Sequence, residues 1–234
     1  MPSKLALITG ASKGIGKAVA LAAADAGLDV IATARNESEL KSLQQTIQLK
    51  GGNCLIQTAE LTNDVELQNI VGKLNKQDKK ISLLVHSAGS ANVGLVSEME
   101  LTKWRETIET NLSAPFYLTQ KCLPLIEKGG HIIFINSVAG KQTFPEWSAY
   151  AASKFGLKAL ADTLRQELAS RHIKVTSIYP TSVDTPMQDK LPYNWDRSKM
   201  LNAEIVAKAV IDCFLQPEEV MIKELEIENM AGTF

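Results

Sequence analysis

Thr9-Gly10-Ala11-Ser12-Lys13-Gly14-Ile15-Gly16 closes an apolar run over Leu5–Thr9 and opens a segment, residues 14–26, whose apolar positions recur at helical spacing. Each glycine has a mechanical reason to be there. Gly10 permits a tight turn out of a strand, Gly14 lets the backbone approach a pyrophosphate, and Gly16 lets the helix lie close on the sheet. The amino terminus of the helix then offers unpaired N–H groups to phosphates, with Ser12, Lys13 and Ile15 as further candidate contacts. Three glycines alone mark only a turn. Between a strand and a helix at the head of the chain, they predict a dinucleotide-binding crossover.

Working outward, the alternation repeats. Residues 29–34 read as a strand and 36–49 as a helix, with Asn36 and Glu39 spaced as a capping box. Residues 53–59, 81–86, 131–136, 174–179 and 220–227 are further strand candidates, the 131–136 strand bounded by Gly129-Gly130. Helical patterns cover 63–75, 102–127 (bent near Pro115), 150–171 and 204–215. The strand candidates are mostly continuous apolar runs, which fits strands covered on both faces. The prediction is an α/β fold: a single-domain, Rossmann-type, doubly wound sheet of seven mostly parallel strands with helices on both faces, spanning 1–234. The one long irregular stretch, 185–202, is a candidate substrate loop.

The totals narrow the function. A net charge of −1 argues against a broad nucleic-acid surface, and no apolar run approaches membrane-spanning length. Cys54, Cys122 and Cys213 are widely separated and odd in number, as expected of buried thiols in a reducing cytoplasm. His86, His131 and His172 show no ligand spacing with them, so no metal site is expected.

A second stretch carries chemistry: Tyr150-Ala151-Ala152-Ser153-Lys154 heads the 150–171 helix. Residues four apart share a helix face, about 6 Å apart along the axis, so an ammonium can stand beside a phenol. A phenol titrates near 10 and needs about 3–4 kcal/mol of help to act as a base near neutrality. One unit charge about 4 Å away, at an effective dielectric of about 20, supplies about that much. Such a pair more often lies idle on a solvated helix face, so the rest of the chain decides whether Lys154 lowers the pKa of Tyr150.

At the far end of the glycine loop the charges point to a cofactor. The 29–34 strand ends without the Asp or Glu that ordinarily meets an unmodified ribose, and Arg35 follows it directly. Glu37, the nearest acid, is placed to open the next helix. Arg35 and Lys13 converging there suit a ribose 2′-phosphate, hence NADP(H).

With both segments in hand, the chain resembles the short-chain dehydrogenase/reductase family along nearly its whole length. The resemblance rests on the glycine loop, Asn111, Ser137 thirteen residues before Tyr150, the Tyr150/Lys154 pair and Pro180-Thr181-Ser182-Val183-Asp184-Thr185. It implies an oxidoreductase in which Tyr150 exchanges a proton with a carbonyl or hydroxyl oxygen. Lys154 would tune Tyr150 and bond the nicotinamide ribose, Ser137 would donate to the substrate oxygen, and Asn111 would hold a water linking Lys154 to solvent. Val183 and Thr185 would meet the carboxamide end of the cofactor. Glu60 and Leu61 would lie near the adenine, and Ser87, Ala88 and Gly89 would line the middle of the site. Three positions depart from the family pattern: Ser87 in His86-Ser87-Ala88-Gly89, Thr181 after Pro180, and Glu60 in place of Asp.

The resemblance further implies a small-molecule carbonyl or alcohol substrate and a homodimer or homotetramer. Trp104, Ile108, Leu112, Phe116, Leu164 and Leu168 are candidates for the pairing face or, equally, for the core. A more specific version of the activity, reduction of 3-oxoacyl thioesters on an acyl carrier protein, would use Lys128 and Arg171. A reading of another class, a non-catalytic NADP-binding sensor or scaffold, is disfavoured by the joint presence of Ser137, Tyr150 and Lys154.

Overall fold

Strand β1, Leu5–Thr9, is buried along its whole length, and its side chains alternate between two separate cores. Ala6 and Ile8 enter one, Leu5 and Leu7 the other, as the two-residue period of a strand requires. A continuous apolar run is thus a strand with no solvent face. The computed structural model describes residues 4–230; the outer ends of the expected 1–234 domain lie outside the described residues.

The remaining strands are β2 (Asp29–Ala34), β3 (Cys54–Thr58), β4 (Ile81–His86), β5 (Ile126–Ile135), β6 (Lys174–Pro180) and β7 (Glu224–Ile227). They form one sheet in the order β3-β2-β1-β4-β5-β6-β7, with every neighbouring pair parallel. The architecture is Rossmann-type, as the alternation predicts. Helices α1 (Gly14–Asp25), α2 (Glu37–Leu49) and α7 (Ala203–Phe214) supply one core. Helices α3 (Asp64–Asn75), α5 (Ala114–Cys122) and α6 (Ser148–Glu167) supply the other, and α4 (Leu101–Ile108) precedes α5. Because β1 lies between β2 and β4, successive crossovers leave it in opposite directions. A crevice opens there at the carboxyl ends of the strands.

Several boundaries move, each for a physical reason. The helical pattern over 102–127 is not one helix: α4 gives way to a π turn over Glu109–Ser113, then α5, then a 3-10 turn over Leu123–Leu125. Pro115 has no N–H to give the Asn111 carbonyl four residues back, and Ala114 instead donates to Glu109. Gly129-Gly130 lies inside β5, which begins at Ile126 opposite Ile81 and shifts register before Leu83 meets His131. Gly129, at φ 80, sits in that irregularity, so a glycine pair that looks like a boundary is a bulge. Helix α6 stops at Glu167; a 3-10 turn follows, and His172 at φ 55 ends the run. The last strand is only Glu224–Ile227.

Candidate functional site

The glycine loop is built around two close approaches. Gly10 takes φ 67, and a Cβ there would lie 2.8 Å from the backbone N and Cα of Ala88. A Cβ on Gly16 would overlap the Gly10 carbonyl oxygen. Any side chain at either position would push the loop off β4 or the helix off the loop. Thr9 fastens the junction: its hydroxyl oxygen accepts from Ser87 N and Ala88 N, at 3.0 and 3.1 Å. Thr9 is a site residue that its bland position at a strand end did not reveal.

From this loop an open cleft of about 370 Å³ runs along the carboxyl ends of the strands. Gly10, Ser12, Lys13, Gly14, Ile15 and Gly16 line one end with Arg35, Glu60 and Leu61. Ser87, Ala88 and Gly89 line the middle. Ser137, Tyr150, Lys154, Val183 and Thr185 line the other end. Asn111, the remaining expected site residue, is not in the wall but directly behind it, buried. Its side chain accepts from Ser90 N and donates to Ser90 O, both at 2.8 Å, and donates to Ser153 Oγ at 3.0 Å. Ser153 in turn donates to the Tyr150 carbonyl at 2.7 Å. Asn111 thus ties the loop after β4 to the first turns of α6.

Ser137 leaves β5 in extended backbone, and its Oγ accepts from Ala139 N at 3.1 Å. It also acts on the Tyr150 phenol, drawing its pKa down. Asn136, unremarked in the sequence, clasps this corner: its Oδ1 accepts from Ser137 N at 2.9 Å and its Nδ2 donates to Lys154 O at 3.2 Å. Lys154, one turn beyond Tyr150, donates to Ile135 O at 2.9 Å, with Nζ 5.5 Å from the phenol ring centroid.

The electrostatics reverse the sequence expectation. Burial pushes the Tyr150 phenol up to about 12, only partly offset by Ser137. The same burial pushes Lys154 down to about 8. Dry surroundings penalise both charged forms, and the ammonium is committed to a carbonyl rather than to the phenol oxygen. In the free protein Tyr150 is therefore a neutral proton donor.

At the opposite end Arg35 lies 3.2 Å from Glu60, with side chains 70% and 37% exposed. An expected ribose-end cation is thus paired with the acid expected near the adenine. Asn36 caps α2 by accepting from Glu39 N at 3.2 Å. Of the departures, Thr181 donates its N–H to Ile227 O at 2.9 Å, and its hydroxyl accepts from Asn229 N at 3.4 Å. A side chain where glycine is usual thus pins the chain beyond β7. Ser87 Oγ and Ser90 Oγ are buried along the cleft without a partner among the described residues. His86 is buried, stacked on Phe134 and bonded to Thr119 Oγ1 at 2.8 Å, which makes it a core residue.

Among the described residues no helix is long and apolar enough to cross a membrane, and no cluster of His, Cys, Asp and Glu could hold a metal. Arg171 donates to Leu123 O at 2.7 Å, closing the end of the preceding segment.

Residues 4–194 match the family model described as short chain dehydrogenase. An uncharacterized oxidoreductase of Staphylococcus saprophyticus is 32% identical over 231 residues, covering 97% of both chains. The sepiapterin reductase of Chlorobaculum tepidum is 30% identical over 235 residues, covering 97% of this chain and 96% of that one. Among structures, a Thermococcus sibiricus alcohol dehydrogenase complexed with 5-hydroxy-NADP superposes with a TM-score of 0.91 at 23% identity, over 97% of each chain. A metagenomic blue fluorescent protein in complex with NADPH gives 0.87 at 26% identity, over 97% of this chain and 96% of that one.

Proposed function

The chain belongs to the short-chain dehydrogenase family, and from that premise we propose that it is an NADP(H)-dependent oxidoreductase interconverting a small carbonyl compound and its alcohol. One observation carries the reading. Ser137 and Tyr150, with Lys154 one turn along α6, line the same cleft as the glycine loop. The residues present fit a dinucleotide: the turn at Gly10 and Gly16 admits no Cβ, and the unpartnered hydroxyls of Ser87 and Ser90 face a polar ligand. Lys13 and Arg35 would meet the 2′-phosphate, and Val183 and Thr185 the carboxamide end. When bound, the nicotinamide supplies or accepts the hydride.

Tyr150, neutral at physiological pH, gives its proton to the substrate oxygen as negative charge develops there. Ser137 donates a second hydrogen bond to that oxygen. Lys154 holds the nicotinamide ribose, and Asn111 keeps the loop carrying Ser90 and the start of α6 in register while a water beside it returns a proton towards Lys154. The whole chain acts as one catalytic and dinucleotide-binding domain. Loss of NADPH absorbance across a panel of ketones and aldehydes tests the reading; no turnover of any member would count against it.

Assembly as a homodimer or homotetramer is part of the proposal. Phe116 and Tyr117 on α5 and Phe155 on α6 are 43%, 41% and 40% exposed, large side chains for a helix to leave in water. Leu164 and Leu168 are buried within the chain and do not belong to that face. Three free, buried cysteines suit a reducing compartment, and we place the protein in the cytoplasm.

A further inference from the structure

Beside Tyr150 stands a group of rings that the proton-transfer set does not use. Trp147 meets the Tyr150 ring edge-on at 5.3 Å. From the 185–202 loop, Tyr193 and Trp195 stack on each other at 5.0 Å and 7°. Both lie nearly parallel to Trp147, at 6.2 Å and 13° and at 6.1 Å and 9°. The chain has only three tryptophans and four tyrosines, and two of each are gathered here. None of Trp147, Tyr193 and Trp195 belongs to either buried core, and all three are half-buried.

The backbone that presents them is strained. Glu146, immediately before Trp147, takes φ 69, a left-handed conformation that costs a non-glycine residue about 1–3 kcal/mol. Two contacts hold it there. Its carbonyl accepts from Gly94 N at 2.8 Å, and its carboxylate accepts from the Tyr193 hydroxyl at 2.6 Å. One residue thus joins three segments around the phenol: the loop after β4, the start of α6 and the 185–202 loop. The root of that loop is fixed too. Arg197 bonds Asp184 at 2.6 Å and Thr185 O at 3.0 Å, and it pairs with Asp189.

Resting on the reductase reading above, we propose that this stack selects the substrate: the enzyme takes flat, conjugated carbonyl compounds, the substrate ring lying parallel to Trp147, Tyr193 and Trp195 with its carbonyl at Tyr150. Aromatic surfaces prefer offset parallel or edge-on contact, each worth about 0.5–1.5 kcal/mol beyond area burial. Rings within 13° of one plane suit a planar partner; a cage for a cation would set its walls at angles to one another.

The test compares 2-acetylnaphthalene with its fully saturated decahydro analogue, which keeps the carbon skeleton and loses the plane. For the wild type, kcat/KM with NADPH should favour the naphthyl ketone by at least about fivefold, the size of one or two stacking contacts. Trp195→Leu and Tyr193→Leu should each drive that ratio towards one. A wild-type ratio near or below one, or a ratio the variants leave intact, overturns the proposal. Binding separates this from failure of the reductase reading. If neither ketone is turned over, calorimetric titration of both into protein preloaded with NADP+ decides. Tighter binding of the naphthyl ketone, lost in Trp195→Leu, upholds the site without the reaction; equal binding of the two rejects the site itself.

Discussion

Lys154 Nζ donates to the Ile135 carbonyl oxygen across 2.9 Å, in the nearly buried wall of the cleft, and burial brings its pKa down to about 8. Below that pH the ammonium is formed and available to the cofactor ribose; above it the charge is lost. NADPH affinity should therefore be flat below about pH 8 and fall by up to about tenfold per pH unit above it. The limb belongs to Lys154 if it persists in Tyr150→Phe and vanishes in Lys154→Met. A flat profile to pH 9.5 in Tyr150→Phe, read by NADPH fluorescence titration, would assign the ammonium no part in binding.

The same burial has a stability consequence. The folded state binds this proton more weakly than the unfolded state, whose lysine titrates near 10.5. Stability is therefore reduced in full below pH 8 and recovers as pH rises to 10.5. The recovery attributable to Lys154 amounts to about 3 kcal/mol. Urea unfolding of wild type and Lys154→Met at pH 7.5 and 10 should show the wild type gaining relative to the variant. A constant difference between them would mean that the ammonium is not desolvated.

Arg35 and Glu60 form an exposed pair, worth at most about 1 kcal/mol. Exchanging Glu60 for a 2′-phosphate therefore costs Arg35 little. Arg35→Ala should weaken NADPH binding by roughly 10- to 150-fold, the loss of one charge-assisted contact, and leave NADH nearly unchanged. Glu60→Gln should alter NADPH affinity by less than about threefold. Retention of NADPH affinity in Arg35→Ala would move the phosphate elsewhere.

What the sequence disclosed and what it hid follow one division. Elements that depend on neighbours in the chain were legible: the turn at Gly10, the helix behind it, the Asn36 cap, and the Tyr150/Lys154 face. The doubly wound sheet was legible too, because continuous apolar strands admit few other arrangements. Hidden were features set by what packs on a residue across the fold. The π turn before Pro115 is a helix to any periodicity count, and Ile126 joins β5 only because Ile81 lies opposite. The Arg35–Glu60 pair spans two strand ends. Tyr150 was expected to lose its proton easily, yet burial, invisible in a linear pattern, pushes its pKa up to about 12.

Assembly has a direct test. With Phe116, Tyr117 and Phe155 each exposed, sedimentation at micromolar concentration should report a dimer or tetramer. Phe116→Glu with Phe155→Glu should shift it to monomer by burying like charges at the contact. A wild type that sediments only as monomer would remove the interface.

The central claim is that Tyr150 delivers the proton to a carbonyl reduced at NADPH's expense. Tyr150→Phe keeps the ring and its edge-on contact with Trp147 and removes only the phenol hydroxyl. The decisive measurement is kcat for NADPH-dependent reduction of the best carbonyl substrate, wild type against Tyr150→Phe, alongside NADPH dissociation constants for both. The account predicts kcat lower by roughly 10²–10⁴ with NADPH affinity changed less than about threefold. A variant that turns over at the wild-type rate would contradict it.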